Sequence, residues 1–396
     1  MTPPDRKILI AAEIAPRRIG SYERSHFGVA SELESRGWEV LSAFSGEISE
    51  PVRDHFRPRE ASLITGLGDA SGWRSRRAWI ELFHREQPDA LWFHFFPTMG
   101  ALAWQARRAL THAAIFETDH ISRGPIRRAF LKELGHRARL AASAHWLDAH
   151  IAVSRFIADR MVTSDLIPRH KVRVIYNGID LDAFLPAERP GGGDYLCTVC
   201  YMRPEKGVGV LLEALAILKR SGIEPRCLLV GDGPNLTEYR RIAEANGLSK
   251  VEFTGLRNDV PQLLRSSMLS VVPSIWSEAF SNAAAEAQAL GVPVIASAIG
   301  GLQEVIEDGV SGLHVTPGDP AGLAGAIARL VGDPELRAAM GKAGRERVGR
   351  LFNLKDRISE MADFIEELAS NPRHELRPEH SGPGDLAGIE GTLGLP

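Results

Sequence analysis

The sequence predicts an α/β protein with two domains, each built around a parallel β-sheet. Short runs rich in Val, Ile, Leu and Ala alternate with stretches of helical spacing, an alternation typical of parallel sheets. A length of 396 residues exceeds what one hydrophobic core ordinarily organises. The stretch LPAERPGGGD, residues 185–194, is the clearest linker and divides the two sets of elements.

The composition indicates a soluble globular protein, with 44% hydrophobic residues, 24% charged residues and a formal net charge of −3. This charge argues against general nucleic-acid binding. The amino terminus is too polar for a signal peptide, and His94 and Pro97 interrupt the longest apolar stretch, residues 90–104. A total of three cysteines is typical of reducing compartments. We therefore expect a cytoplasmic protein without a membrane-spanning segment.

The first set of elements opens with a buried strand at residues 7–12. A loop, a helix at 25–37 and a strand at 38–44 follow, the order found in half of a nucleotide-binding fold. Because Gly20 is the only glycine of the loop, the dinucleotide fingerprint G-x-G-x-x-G is absent.

Asp119 and His120 end a later strand, which follows a helix at 75–87, a strand at 90–96 and a helix at 99–111. The carboxyl ends of parallel strands form the edge where ligands bind. His120 is therefore a candidate catalytic or binding residue. The alternative is a packed or surface histidine, and the position of His120 favours a function.

Residues 125–146 predict a helix in which basic side chains alternate with apolar ones. Either its basic face lies on anionic lipid as a weak peripheral membrane contact, or its apolar stripe packs on the sheet. The second interpretation is favoured because such helices are common in soluble domains. A strand at 149–153, a helix at 154–163 and a strand at 171–178 complete this half.

The second half begins with a strand at 195–202, followed by Lys206 in the loop RPEKG. Lys206 precedes a helix, where an ammonium group can hold phosphate. An exposed loop lysine is the alternative, and the local sequence alone favours it. The later predicted elements are a helix at 208–222, a strand at 227–233, a helix at 235–247, a strand at 250–256, the strand SGLHVTP and helices at 320–331, 334–349 and 353–370.

Residues 271–304 predict a strand, a loop carrying Glu278, an alanine-rich helix carrying Glu286, and a second strand. Ser281 or Asn282 is a plausible N-cap, so free backbone N–H groups face the loop and form an anion site suited to phosphate. The alternative for Glu286 is a solvent-facing carboxylate on an ordinary helix. This stretch alone does not separate the two interpretations.

Three other patterns are predicted to carry no chemistry. Cys197-x-x-Cys200 resembles a redox or metal pair, but residues three apart within a strand point to opposite faces. Asp180-x-Asp182 resembles a metal-ligating pair, yet no histidine or further acid completes it. The glycines of VGDGP have only loose fingerprint spacing and can simply tighten a turn.

A series of motifs runs in order through residues 7–365: GSYERSHFGVASELESRGWEV, VSRFIADRM, KVRVIYNGIDLDAF, RPEKG, LLVGDGP, VEFTGL, PSIWSEAFSNAAAEAQALGVPVIAS and GGLQEVIEDGVSGLHVTPGD. Together they resemble the family 4 retaining glycosyltransferases. The resemblance implies the GT-B architecture, in which two Rossmann-like domains with parallel sheets face a central cleft. Residues 1–186 would form the acceptor-side domain and 187–352 the nucleotide-sugar domain. The helix at 353–370 would cross back to the first domain, and 371–396 would be a disordered tail.

The resemblance also implies the site residues. The implied catalytic residues are Glu278, Lys206 and His120. Glu278 would bind donor-sugar hydroxyls, Lys206 would neutralise phosphate charge and His120 would lie near the reacting sugar. The implied donor-binding residues are Phe280, Ser281 and Asn282 through backbone N–H groups, Glu286 at the ribose hydroxyls, Gly20 for close backbone approach, and Arg257 near the base.

Two positions depart from the family pattern. Cys200 and Tyr201 stand where the family usually has Gly-Arg, and Arg203 is the candidate substitute for the missing arginine. The paired glycines of the first loop read Gly20-Ser21.

The resemblance implies retaining transfer of a hexosyl group from a nucleotide-diphosphate sugar to an unidentified small-molecule, lipid or glycan acceptor, without a cofactor or a metal. The alternatives are a non-catalytic nucleotide-sugar-binding or regulatory protein of the same fold, and a nucleotide-sugar epimerase.

Overall fold

The computed structural model describes residues 6–96, 99–120, 145–188 and 190–371. Two parallel sheets organise these residues, which confirms the predicted fold class. The first sheet has the strand order β3-β2-β1-β4-β5-β6-β7 and the second the order β10-β9-β8-β11-β12-β13. Both orders reverse direction beside their first strand, and such switch points are where open α/β sheets bind ligands.

The strands are β1 (Arg6–Ala12), β2 (Trp38–Phe44), β3 (Leu63–Ile64), β4 (Ala90–His94), β5 (Ala114–Asp119), β6 (Ala149–Ala152), β7 (Val172–Val174), β8 (Tyr195–Val199), β9 (Arg226–Val230), β10 (Val251–Gly255), β11 (Leu269–Val272), β12 (Val294–Ser297) and β13 (Gly312–Val315). The described α-helices are α1 (Ser21–Ser35), α2 (Glu50–Phe56), α3 (Trp73–Glu86), α4 (Met99–Ala109), α5 (Arg155–Thr163), α6 (Val208–Arg220), α7 (Leu236–Ala245), α8 (Val260–Arg265), α9 (Asn282–Ala289), α10 (Leu302–Val305), α11 (Pro320–Gly332), α12 (Pro334–Leu351) and α13 (Leu354–Ser370).

Strand β1 shows why the first sheet is buried on both faces. Ile8 and Ile10 pack into one apolar cluster, while Leu9 and Ala11 pack into another on the opposite face. A continuous apolar run satisfies both layers at once because successive side chains of a strand alternate between faces. The same reasoning explains why these runs pair in parallel with helices on either side.

Helix α13 packs against the first sheet although it follows the second sheet in sequence. Phe364 and Ile365 are buried in the cluster that contains β1 and α1. Arg36 of α1 pairs with Asp363 at 2.6 Å and with Glu366 at 2.9 Å. The chain therefore crosses between the two sheets twice, at the linker and before α13.

Several element boundaries differ from those predicted. Helix α1 begins at Ser21 instead of residue 25, and the short helix α2 was not predicted. Strand β7 ends at Val174, before the predicted end at 178, since the chain leaves the sheet there to pair Ile179 with Asn353 near the second crossing. These ends depend on partners distant in sequence, which local patterns do not reveal.

Among the described residues, no helix combines the length and apolar character needed to cross a bilayer. The predicted helix at 125–146 lies almost wholly outside the described residues, as does the predicted tail beyond residue 371.

Candidate functional site

Two adjoining cavities lie where the carboxyl ends of the sheets face each other. The second-domain cavity, of about 290 Å³, is lined by residues that follow β8 and β11 and by the start of α9. The interdomain cavity, of about 220 Å³, is lined by α1, the ends of β4 and β5, and the same start of α9. Phe280 and Asn282 line both cavities, so the two spaces meet at the first turn of α9.

Lys206 and Glu278 meet in the second-domain cavity. The Lys206 Nζ donates to Glu278 Oε1 at 2.7 Å, and Ser274 Oγ donates to the same oxygen at 2.6 Å. The Glu278 residue is 8% exposed, so its charge needs these partners. The structure thus brings together two of the predicted catalytic residues and adds Ser274, which the sequence analysis missed.

Two glycines hold the backbone that presents this pair. Gly207 follows Lys206 with φ of +69°, and a Cβ there would lie 1.8 Å from the carbonyl oxygen of Pro273. Gly300 has φ of +58°, and its Cβ would lie 2.6 Å from the carbonyl oxygen of Glu278. Side chains other than hydrogen fit neither position, so both loops pack backbone against backbone.

The start of α9 separates the cavities. Ser281 is its N-cap residue and forms no side-chain capping bond, so the first-turn N–H groups are open to a ligand. Phe280 packs edge-on against Phe352 and at a tilt against Tyr176, which anchors the loop before the helix. The predicted contribution of backbone N–H groups from Phe280, Ser281 and Asn282 is compatible with this helix start and stays a prediction.

Glu286 lies one turn into α9 and is half-buried. Burial raises the pKa of its carboxyl to about 7, although the nearby charges of Arg24 and Arg18 act in the opposite direction. Both arginines belong to the first domain, so Glu286 faces the cleft rather than open solvent. This placement excludes the interpretation of Glu286 as an ordinary solvent-facing glutamate.

His120 lies in the interdomain cavity on the first-domain side. Its Nε2 is 2.9 Å from His94 Nδ1, and its ring stacks on Phe95 with 4.5 Å between ring centroids. Burial lowers the pKa of His120 to about 4. The preceding residue, Asp119, accepts a hydrogen bond from Arg160 Nη2 at 2.6 Å. His120 is thus a neutral, oriented imidazole at neutral pH.

Two predicted donor-binding arginines, Arg203 and Arg257, do not line the second-domain cavity. The side chain of Arg203 is 53% exposed, and its guanidinium stacks on the Tyr201 ring at 4.9 Å. Arg257 is exposed and bonds Asp259 through both Nε and Nη2, at 2.8 and 2.6 Å. Arg203 therefore does not replace the missing family arginine, because the loop turns it toward solvent.

Gly20 is the N-cap residue of α1, and its backbone N–H donates to Glu23 Oε2 at 2.7 Å. Its φ of −106° does not require glycine. The Gly20 N–H group is thus already engaged by the side chain of Glu23, and the expected close approach of the Gly20 backbone to a phosphate or acceptor stays a prediction.

Tyr22, His94 and Ser21 were also missed by sequence reasoning. The Tyr22 ring lies edge-on to His94 and His120, and Ser21 contacts Asn282 across the cleft. One signal was available for His94: it lies near the end of the strand predicted at 90–96. The structure ends that strand at His94 and pairs it with the strand that precedes His120, so both histidines reach the same sheet edge.

The patterns predicted to lack chemistry have structural roles. Asp180 caps its own turn by accepting from the N–H groups of Asp182 and Ala183. Cys197 and Cys200 are both free thiols, and burial raises the pKa of each to about 12. Cys200 follows β8 instead of lying within it, which corrects the predicted strand end. Within the described residues, no group of three or more His, Cys, Asp or Glu side chains is arranged to hold a metal ion.

Comparison with known proteins places this chain in a family. The profile Glycosyltransferase Family 4 matches residues 23–183, and the profile Glycosyl transferases group 1 matches residues 186–347. A GDP-mannose-dependent alpha-(1-6)-phosphatidylinositol monomannoside mannosyltransferase of Mycolicibacterium smegmatis is 30% identical over 70% of this chain and 76% of its own length. The chain belongs to the family 4 glycosyltransferases.

This family 4 glycosyltransferase is also 31% identical to the D-inositol 3-phosphate glycosyltransferase of Salinispora tropica, over 55% of this chain and 53% of that protein. It spans about half to three-fifths of the length of several curated relatives that it matches. The solved structure of Anabaena HepE in complex with UDP and glucose superposes with a TM-score of 0.76 and 19% identity, covering 92% of this chain and 100% of that one. At this identity the likeness establishes the GT-B fold.

Proposed function

We propose that the protein is a retaining glycosyltransferase that moves a hexosyl group from a nucleotide-diphosphate sugar to an acceptor hydroxyl. The observation that carries the proposal is the Lys206–Glu278 pair, which lies beside the open start of α9. A cation, a carboxylate and free N–H groups at one cavity suit a diphosphate joined to a polyhydroxyl ring.

Lys206 and the first turn of α9 act on the leaving group. An ammonium group has three N–H donors, so the bond to Glu278 leaves two for phosphate oxygens. As the bond between the sugar carbon and the phosphate oxygen breaks, negative charge grows on the diphosphate. Fixed donors stabilise that charge more in the transition state than in the bound substrate, which lowers the barrier.

Glu278 and Glu286 fit hydroxyl groups at the two ends of the donor. Glu278 Oε1 is occupied by Lys206 and Ser274, and its second oxygen is available to a sugar hydroxyl. Glu286 lies four residues further along α9 than Asn282, on the same helix face, and is proposed to accept the ribose hydroxyls. Its carboxyl accepts ribose hydroxyls best when ionised.

The proposed stereochemical course is retention. The acceptor hydroxyl attacks the anomeric carbon from the face that the diphosphate leaves, and its proton passes to a departing phosphate oxygen. One carbon–oxygen bond forms as another breaks, and the products are the glycoside and the nucleoside diphosphate. His120, neutral and fixed by His94, lies beside this exchange and orients the sugar.

The donor base, the sugar and the acceptor are open within this proposal. Relatives carry names that specify GDP-mannose with a phosphatidylinositol mannoside, or UDP-Gal with a diphosphoundecaprenol-linked sugar. HepE has been crystallised with UDP-glucose. These names support a nucleotide-sugar donor with a lipid or glycan acceptor.

The test is a panel of UDP-, GDP- and ADP-sugars, with nucleotide release followed with and without candidate acceptors. We expect one donor to release its nucleotide and the product to keep the donor's anomeric configuration by NMR. Inverted product would contradict retention. Interconversion of free nucleotide sugars without release would indicate the epimerase instead.

A specific observation favours a second candidate, a non-catalytic nucleotide-sugar-binding protein. Tyr201 lines the second-domain cavity where the family usually supplies an arginine, and Arg203 is directed away from it. Fewer cations at the diphosphate weaken stabilisation of the leaving group. Tight nucleotide binding without release from any donor of the panel would support this candidate.

We further propose a cytoplasmic location. Weak peripheral membrane contact through residues 125–146 is the less favoured of the two hypotheses for that predicted helix. Sedimentation with vesicles containing anionic lipid tests the contact. Vesicles that leave the protein in the supernatant at low salt would contradict it.

A further inference from the structure

Ser21, which stands where the family has the second glycine of the first loop, makes a contact across the cleft. Its Oγ accepts a hydrogen bond from Asn282 Nδ2 at 2.8 Å. Ser21 begins α1 in the first domain and Asn282 begins α9 in the second, so the starts of two helices are joined. A glycine at residue 21 has no side chain to make this bond.

The hydrogen bond from Asn282 Nδ2 also fixes the orientation of the amide oxygen, Oδ1. With Nδ2 engaged, Oδ1 is buried and has no hydrogen-bond partner among the described residues. A buried acceptor without a partner costs free energy, and a ligand that donates to it recovers that cost. Asn282 lines the interdomain cavity, so the ligand has space to do so.

His94 supplies a second unsatisfied atom to the same cavity. The residue is 3% exposed, its Nδ1 is engaged by His120, and its Nε2 has no partner in the described part of the chain. The ring belongs to the end of β4 in the first domain, whereas Asn282 belongs to the second. A ligand between them therefore meets one polar group from each domain.

The rest of the cavity lining suits a neutral ring. Aromatic faces from Tyr22, Trp92, Phe95 and Phe280 line it, and aromatic side chains pack well on the apolar faces of sugar rings. Burial lowers the pKa of both His94 and His120, which leaves them uncharged at neutral pH. The charged side chain among the described lining residues is Arg357, and Glu360 pairs with it at 2.6 Å.

We propose that Ser21 is a positioning residue, which fixes the Asn282 amide so that Asn282 Oδ1 and His94 Nε2 recognise the hydroxyls of an uncharged sugar ring in the interdomain cavity. The inference rests on the proposed function and specifies the chemistry of its sugar subsite. The ring can belong to the donor's glycosyl group or to the acceptor, since both present neighbouring hydroxyls.

Free hexoses test the subsite directly. Glucose, mannose and galactose are titrated against the full chain saturated with UDP, and in parallel with GDP, while binding is followed by saturation-transfer NMR. We expect at least one hexose to bind. Ser21→Ala and Asn282→Ala should each weaken it about fivefold, the effect of losing one buried hydrogen bond. The nucleotide affinity of Ser21→Ala should change less than twofold, because Ser21 lines the interdomain cavity and not the second-domain cavity, where Lys206 and backbone N–H groups are proposed to hold the diphosphate.

The double variant separates positioning from direct contact. If Ser21 acts through Asn282, Ser21→Ala combined with Asn282→Ala should bind the hexose no more weakly than Asn282→Ala alone. Ser35→Ala, at the opposite end of the same helix, is the matched control and should leave hexose affinity unchanged. Additive losses in the double variant would overturn the positioning role of Ser21.

Repeating the titration with an intact UDP- or GDP-sugar identifies the source of the ring. Hexose binding that disappears with the intact donor assigns the subsite to the donor, and binding that persists assigns it to the acceptor. Absence of hexose binding in the wild type, or unchanged affinity in both single variants, overturns the inference. The assay needs no turnover, so a protein that binds hexose but transfers nothing would contradict the proposed function alone.

Discussion

Glu278 is a buried carboxylate whose charge is balanced by an ammonium group and a hydroxyl. The Lys206 ammonium is 2.7 Å from its Oε1 and Ser274 Oγ is 2.6 Å from the same atom. Removing either partner leaves a charge in a poorly solvated place, which is why the pair acts as a unit. We expect the donor diphosphate to bind beside this preformed Lys206–Glu278 pair.

Lys206→Ala tests the role of the cation at the leaving group. We expect kcat/KM for nucleotide release to fall by about 10²–10³, the loss typical of one preorganised electrostatic contact. Lys342→Ala is the matched control, since Lys342 is 81% exposed on α12. Release within threefold of wild type in Lys206→Ala would remove Lys206 from the catalytic group.

Glu286 provides a pH-dependent test. Burial raises the pKa of its carboxyl to about 7, above the ordinary value of 4.5. The folded protein then binds more protons than the unfolded chain between these values, so stability from this group is present below pH 4.5 and is lost as pH rises through about 7. Glu286→Gln has no ionisable carboxyl at this position, so the variant should not lose this stability as pH rises.

The measurement is the free energy of unfolding of Glu286→Gln and wild type from pH 5 to pH 8. The free energy of unfolding of the variant minus that of wild type should increase as pH rises. Glu213→Gln, at an exposed position of α6, serves as the control and should show no such trend. A difference independent of pH would contradict the raised pKa.

At the scale of secondary structure, the loops between elements determine how closely the backbone segments of the site can pack against each other. Gly207 joins the Lys206 turn to α6, and its backbone passes directly against Pro273 after β11. Gly300 and Gly301 pack in the same way on the Glu278 loop, with Gly301 N–H donating to the Glu278 carbonyl at 2.8 Å. The glycines of the sequence motifs RPEKG and GGLQE thus allow close backbone packing, in addition to the side chains that these motifs carry.

Gly207→Ala and Gly222→Ala form a matched pair. Both glycines have left-handed φ, +69° and +77°, but a Cβ at Gly222 meets nothing within 4 Å. Gly222→Ala should cost about 1–2 kcal/mol from the left-handed conformation alone. Gly207→Ala should cost about 1–3 kcal/mol more, because its Cβ also collides with the Pro273 carbonyl. Urea unfolding of both variants measures the difference, and equal costs would contradict the close packing.

The order of secondary structure was largely predictable at this scale. Strands such as β1 and helices such as α6 were correct within a few residues because apolar periodicity acts locally. Helix α1 was placed four residues late because Glu23, which caps its start through the Gly20 N–H, carries no distinctive pattern. The ends of β7 and β8 were missed because turns toward distant partners ended them.

At the scale of the whole molecule, Glu304 forms a polar contact between the two domains. Glu304 of the second domain accepts from the N–H groups of Arg155 and Phe156 at 2.9 and 2.8 Å, which begin α5 of the first domain. Tyr176 OH donates to Glu304 Oε2 at 2.8 Å. A carboxylate at a helix start is favourable because it meets free N–H groups and the helix dipole.

Glu304→Ala should therefore loosen the two domains. We expect the free energy of unfolding to fall by about 2–3 kcal/mol, the effect of losing hydrogen bonds to a charged acceptor. The radius of gyration from small-angle scattering should increase. Gln303→Ala, an exposed neighbour on α10, is the control. A variant with unchanged stability and unchanged dimensions would show that Glu304 does not hold the two domains together.

The sequence by itself determined the α/β class, the family, and the loops that carry Lys206, Glu278 and His120. Periodicity, turn residues and motif order are local properties, so they can be read without knowing the fold. The tertiary structure decided which polar atoms meet. Ser21 and Asn282 are 261 positions apart and touch only because both sheets present helix starts to one cleft. Burial of Glu286 has the same origin, since desolvation depends on neighbours supplied by the other domain.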